Sequence, residues 1–169
     1  MRQTALPLLL TLGLALGGCV GRSGGFALYL LADDRPTTAL AGSDLAELPL
    51  RDQPLLAEED LAWYDGATHE MALTRDALAR VHQVFATPIR TNGIPFVVCV
   101  RQERVYAGAF WTPLSSQSYD GVVILQLFGA DQPTIQLSLG YPGSFDFTGE
   151  DLRSDPRVLE ALGEAGKLR

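Results

Sequence analysis

Two pairs of β-prone runs, each interrupted by a short polar or small-residue break, decide most of what this chain can become. Ile94 to Val100 and Arg104 to Phe110 flank Arg101-Gln-Glu103. Val122-Val-Ile-Leu-Gln-Leu127 is followed by Thr134-Ile-Gln-Leu-Ser-Leu139. Runs rich in Val, Ile and aromatic residues with short breaks read as a β-hairpin and a second strand pair. Phe26-Ala-Leu-Tyr-Leu-Leu-Ala32 barely alternates, so it reads as a first strand buried on both faces, closed by Asp33-Asp-Arg-Pro36.

The helical signals are fewer. Thr74 is a good N-cap for a helix from Arg75 to Phe85, whose apolar Leu78, Val81 and Phe85 recur at spacings of three and four. Asp155 caps a second helix that Pro156 opens, running through Ala165. Glu58 to Tyr64 is expected to be a short helix with its acids at the N-terminal end, where the macrodipole favours them. Ser43-Asp44 can cap a brief helical turn, and Leu48-Pro-Leu50 is a short extended edge. His69 to Thr74 reads as a half-buried strand. Together these elements specify one α+β domain, a largely antiparallel sheet with two or three helices packed on it.

The domain begins only after an address. Arg2 is a positive n-region, Leu6 to Leu16 an apolar h-region, and Gly17 and Gly18 are small. The apolar run is shorter than the ~20 residues a membrane-spanning helix needs. Leu16-Gly17-Gly18-Cys19 resembles the lipobox of bacterial lipoproteins, in which cleavage precedes a cysteine that takes lipid. The resemblance implies a signal peptide over residues 1–18, a lipidated Cys19 and a flexible tether over 19–25. The folded domain then spans 26–169. The chain is thereby expected to be exported and held by acyl chains, palmitate among them, on the cell membrane or outer membrane. Val20 follows the cysteine, which leaves the choice of membrane open.

Losing Arg2 with the signal takes the formal net charge from −7 to −8. Such an acidic body suits neither nucleic acid nor anionic lipid, both of which attract Lys/Arg-rich faces, so attachment rests on the acyl chains. With Cys19 committed to lipid, Cys99 has no partner in the chain. No intramolecular disulfide is then expected, and the apolar run around Cys99 makes it a buried thiol.

Residues 48–124 resemble the periplasmic head domain of the SecD (SecDF) protein-export subunit. The likeness is carried by Gln53-Pro-Leu-Leu-Ala-Glu-Glu-Asp-Leu61, Leu73-Thr74-Arg-Asp-Ala77 and Pro95-Phe-Val-Val-Cys-Val-Arg-Gln-Glu-Arg-Val105. Where that family has an aspartate-glycine turn, this chain has Arg101-Gln102. Its following small-residue segment is here Tyr106-Ala-Gly-Ala-Phe-Trp-Thr-Pro113. The resemblance implies a head-like fold and a habit of contacting extended polypeptide, without the membrane spans of the export machine. The whole resembles stand-alone bacterial lipoproteins.

No constellation for chemistry emerges. The two histidines lack metal-ligand spacing: His82 has Leu78, Ala79, Phe85 and Ala86 three and four residues away, and His69 adjoins Glu70 on the opposite strand face. Ser115-Ser116, a histidine and Asp120 can be combined on paper into a hydrolytic triad, but a polar loop after Trp111 explains them as well. Gly21-Arg-Ser-Gly-Gly25 matches a nucleophile elbow only in spelling, since no strand precedes it. Acids at 33–34 and 58–60 lie where turns and helix starts favour them. No enzyme, metal or cofactor is therefore expected.

One segment invites a binding reading. Tyr106 to Gly121 sets small residues beside aromatic ones at a strand end. Tyr106, Phe110, Trp111, Leu114 and Tyr119 are the candidate binding residues, along a groove beside an edge that accepts an extended peptide as an added strand. The competing reading has Phe110 and Trp111 plugging the core under a long loop. Two functions follow as expectations. One is a non-enzymatic, lipid-anchored envelope protein that binds or scaffolds another protein, such as an envelope or export component. The other is a small-ligand-binding lipoprotein with a pocket near Trp111 and Tyr119.

Overall fold

The computed structural model describes residues 25–86, 90–126 and 133–169; the expected signal peptide, Cys19 and most of the expected tether lie outside them. Eight strands form one curled sheet in the order β2-β1-β5-β6-β7-β8-β4-β3. They are β1 Phe26–Leu30, β2 Leu56–Ala57, β3 Leu61–Tyr64, β4 Glu70–Leu73, β5 Ile94–Val100, β6 Glu103–Trp111, β7 Tyr119–Leu125 and β8 Thr134–Tyr141. Two helices, α1 Arg75–Val84 and α2 Pro156–Glu164, complete the α+β domain. Among the described residues, no helix is long and apolar enough to cross a membrane.

The alternation of side chains along each strand splits the apolar residues between the two faces. Phe26, Leu28 and Leu30 of β1 join Phe96, Val98 and Val100 of β5 on the inner face, with Phe110, Ile124, Leu137 and Met71 from further round. Both helices pack here, α1 through Ala77 and Val81, α2 through Val158, Ala161 and Leu162. Thr74 and Asp155 are their N-caps, accepting from the N–H groups of Ala77 and Arg157. On the outer face, Ala27, Tyr29, Val97 and Cys99 are covered by Leu40, Leu45, Leu48 and Leu50 of the 37–50 segment. Further along, Ala109, Trp111 and Val123 are covered by Tyr119, Leu125 and Tyr141. β1 and β5 are thus buried on both sides, which is why they read as unbroken apolar runs.

Three features differ from expectation. Glu58–Asp60 makes one 3-10 turn, in which the Asp60 carboxylate accepts from the Ala57 N–H (3.0 Å). Leu61–Tyr64 then leaves as a strand, because β4 offers it a ladder and seven residues are few for a helix. Cys99 is 1% exposed as expected, yet it is not a free thiol. The third is the β6–β7 pair, which is parallel, with Gly108 opposite Val122 and Phe110 opposite Ile124. Parallel neighbours usually need a crossover of a dozen or more residues; here the connection is only 112–118. It has to run back along the sheet, which brings it over the outer face.

Candidate functional site

That returning segment is where the sequence located a binding surface, and the topology redefines it. β6 lies between β5 and β7 and is paired on both sides over residues 108–110, so that stretch offers no free edge for an added peptide strand. Tyr106 and Phe110 face inward and are buried; the Phe110 ring meets Phe96 and Phe85 edge-on at 5.3 and 5.5 Å. Trp111 faces outward and is 2% exposed, stacked on Tyr119 at 5.2 Å with 14° between the planes and tilted against Tyr141 at 5.8 Å. The ring faces a small ligand would use already cover one another. Burial pushes the Tyr119 phenol up to about 12. Three of the five candidate residues are therefore core: Tyr106 and Phe110 lie in the inner-face cluster, and Trp111 lies on the outer face under Tyr119 and Tyr141.

What the crossover presents instead is Leu114, 61% exposed. It sits on a loop pinned at several points. The Ser115 hydroxyl donates to the Thr91 carbonyl (2.6 Å) and accepts from the Gln117 N–H. The Thr112 hydroxyl accepts from the Leu114 N–H (3.3 Å), and the Tyr141 hydroxyl reaches the carbonyls of Pro113 and Ser115. A second loop leaves the end of β8 and returns to β7, where the Thr148 N–H and hydroxyl donate to the two oxygens of Asp120 (2.8 and 2.6 Å). These bonds hold the Asp120 carboxyl below the usual carboxylate range. That loop carries Phe145, 81% exposed. Leu114 and Phe145 thus stand on two loops fixed by hydrogen bonds, one to Tyr141 and the other to Asp120. The sequence reading missed Phe145; its signal was an aromatic residue in the Gly- and Ser-rich run Pro142-Gly-Ser-Phe-Asp-Phe147.

Among the described residues, no hydrogen bond brings the residues of the paper triad together. Ser115 Oγ is spent on the Thr91 carbonyl, and Asp120 on Thr148. His69 sits on the other side of the sheet's β8 strand, where Leu137 N–H donates to its carbonyl. Its backbone is left-handed (φ 58°), so it ends the turn before β4 instead of belonging to the strand. The Tyr64 hydroxyl gives its proton to the Arg153 carbonyl (3.1 Å) and takes the Nδ1–H of His69 (2.9 Å). Burial, and secondarily the Arg153 guanidinium, push the His69 imidazole below its ordinary value.

This has a consequence for stability. The unfolded chain binds a proton at His69 more readily than the folded chain does, so stability must fall as pH drops below about 6.5. Above that pH the group contributes no slope. His69→Asn keeps a residue that tolerates the left-handed backbone. It is expected to flatten the thermal-midpoint curve just below about pH 6.5, while the carboxylate-dependent loss at lower pH stays. An unchanged slope in that window would show that His69 titrates as it does when unfolded.

Compared with family models, with curated proteins and with solved structures, the chain matches none.

Proposed function

We propose that this chain is a non-enzymatic, lipid-anchored protein of the cell envelope that binds another protein through Leu114 and Phe145. The observation that carries the reading is the exposure of these two large apolar side chains on loops whose backbones are already fixed by hydrogen bonds. Each such side chain left in water forgoes about 1.5–3 kcal/mol of burial, which a partner's surface recovers. Because the loops are pinned, little ordering entropy is lost on binding. Leu114 and the half-buried Tyr119 carry over from the sequence reading; Phe145 takes the place of Tyr106, Phe110 and Trp111. The resemblance of residues 48–124 to an export-machine head domain supports a polypeptide partner in the envelope. Cys19 supplies the anchor.

The test uses the full chain in cells, with a photo-crosslinking residue at Leu114 or Phe145. Both positions are expected to capture the same protein, and Leu114→Asp with Phe145→Asp is expected to abolish capture from a probe at Tyr119. Surface changes of this kind shift stability by only about 0.5 kcal/mol, so an unchanged melting midpoint separates lost binding from lost folding. Capture that survives the double substitution would sink the assignment. The anchor is read separately, by the mass of the N-terminal fragment from membranes. Acyl chains on Cys19 and a disulfide between Cys19 and Cys99 exclude each other, so one spectrum decides between them.

A further inference from the structure

A second surface, remote in sequence from Leu114 and Phe145, gathers positive charge on this acidic chain. The end of β1, the turn after it, the 51–55 segment and the C-terminal half of α1 line an open cleft of about 360 Å³. Arg35, Arg51, Arg80 and Arg90 line it, over an apolar floor that includes Leu30, Leu55 and Ile94. A neighbouring cavity shares Leu30, Arg51, Leu55 and Arg80.

The four guanidiniums are not equivalent. Arg35 forks onto both oxygens of Asp33, and Arg90 pairs with Asp34. Arg80 is fixed twice, to the Leu55 carbonyl (3.1 Å) and to Asp60 (2.6 Å). Arg51 differs. Its Nε donates to the Leu31 carbonyl at 3.4 Å, and among the described residues it makes no ion pair, even with the adjacent Asp52. Its backbone is held by the Arg51 N–H to Leu30 carbonyl bond (3.0 Å). Three arginines are thus neutralised locally, while the fork of the fourth stands at the junction of the two cavities.

We propose that this cleft binds a small carboxylate with an apolar tail, its head on the Arg51 guanidinium and its tail on Leu30, Leu55 and Ile94. Guanidinium and carboxylate match as a planar, two-bond pair. The apolar floor selects against a bare inorganic anion, and the volume is that of a small-molecule site. The site is independent of the Leu114–Phe145 surface, so the two readings stand or fall separately.

The probe is hexanoate, titrated into the full chain carrying Cys19→Ala and followed by methyl NMR of Leu30, Leu55 and Ile94. Saturable shifts of these methyls are expected, with 1-hexanol and acetate each at least tenfold weaker because each lacks one half of the recognition. Arg51→Gln is expected to weaken hexanoate at least tenfold, and Arg51→Lys to restore part of that loss. Arg51 is exposed and its backbone bond survives the change; should the variant misfold, the fall of wild-type affinity with salt reads the same charge. Equal affinity in Arg51→Gln, hexanol binding as tight as hexanoate, salt-independent binding or no saturable shift would each overturn the proposal.

Discussion

Trp111→Ala is expected to destabilise the domain by about 3–5 kcal/mol, the usual cost of deleting a buried indole. For a domain of this size that lowers the thermal midpoint by roughly 6–20 °C. The indole is the keystone of the outer face: it lies between the Tyr119 and Tyr141 rings, and a Cβ built on Gly93 would stand 2.5 Å from it. Gly93 can approach so closely because it has no side chain and sits at φ 73°. Removing the indole therefore loosens the 112–118 crossover and the 91–93 turn together. Trp111→Phe should cost much less, since the indole N–H has no partner among the described residues and its loss forfeits no hydrogen bond. The measurement is thermal unfolding with both variants. A shift of a degree or two for Trp111→Ala, with loss of partner capture, would return Trp111 to a binding surface.

The second large effect is expected at Gly108. It lies in mid-sheet, paired with Phe96 on one side and Val122 on the other. A Cβ there would come within 2.4 Å of Phe96 Cζ and 2.6 Å of the Val122 carbonyl oxygen. The ring can tilt, but the carbonyl belongs to the ladder and cannot leave without breaking it. Overpacking of this kind costs about 1–3 kcal/mol for a small addition and more for a branched one. Gly108→Ala should lower stability by that amount, and Gly108→Val should drive the chain into inclusion bodies. Gly163→Ala is the internal contrast. Only Leu168 comes as near as 4.0 Å to its Cβ, and the position is helical. This change should raise stability by about 0.4–1 kcal/mol. Denaturant melts of Gly108→Ala and Gly163→Ala with shifts of the same sign would contradict the packing described.

How the elements form was largely local information. Thr74 and Asp155 start their helices where capping chemistry puts them, and the β5–β6 hairpin turns where the apolar runs break. Even there a detail was hidden. Arg101 and Gln102 both adopt positive φ (47° and 72°), a hairpin geometry that favours Asn-Gly and gives no signal in Arg-Gln. The Arg101 side chain is used across space, pairing with Glu164 of α2 (2.5 Å).

Other features belong to no local pattern. Leu61–Tyr64 is a strand because β4 lies beside it and the C-terminal segment closes its far side, through the Tyr64 N–H to Lys167 carbonyl bond (2.7 Å). Arg169 lies over the Trp63 ring at 3.2 Å there. Whether Trp111 faces solvent or core was undecidable from its neighbours, because the answer depends on the seven-residue route from β6 to β7. The Arg51 cleft draws on residues from 30 to 95 and appears only when β1 and β5 pair. The sequence by itself determined the acidic balance, the helix starts and the α+β class, since those rest on composition, periodicity and contacts within a few residues. Only the tertiary structure decided the parallel pair, the burial of Tyr106, Phe110 and Trp111, the exposure of Leu114 and Phe145 and the cleft around Arg51, since burial and convergence are set by which distant strands become neighbours.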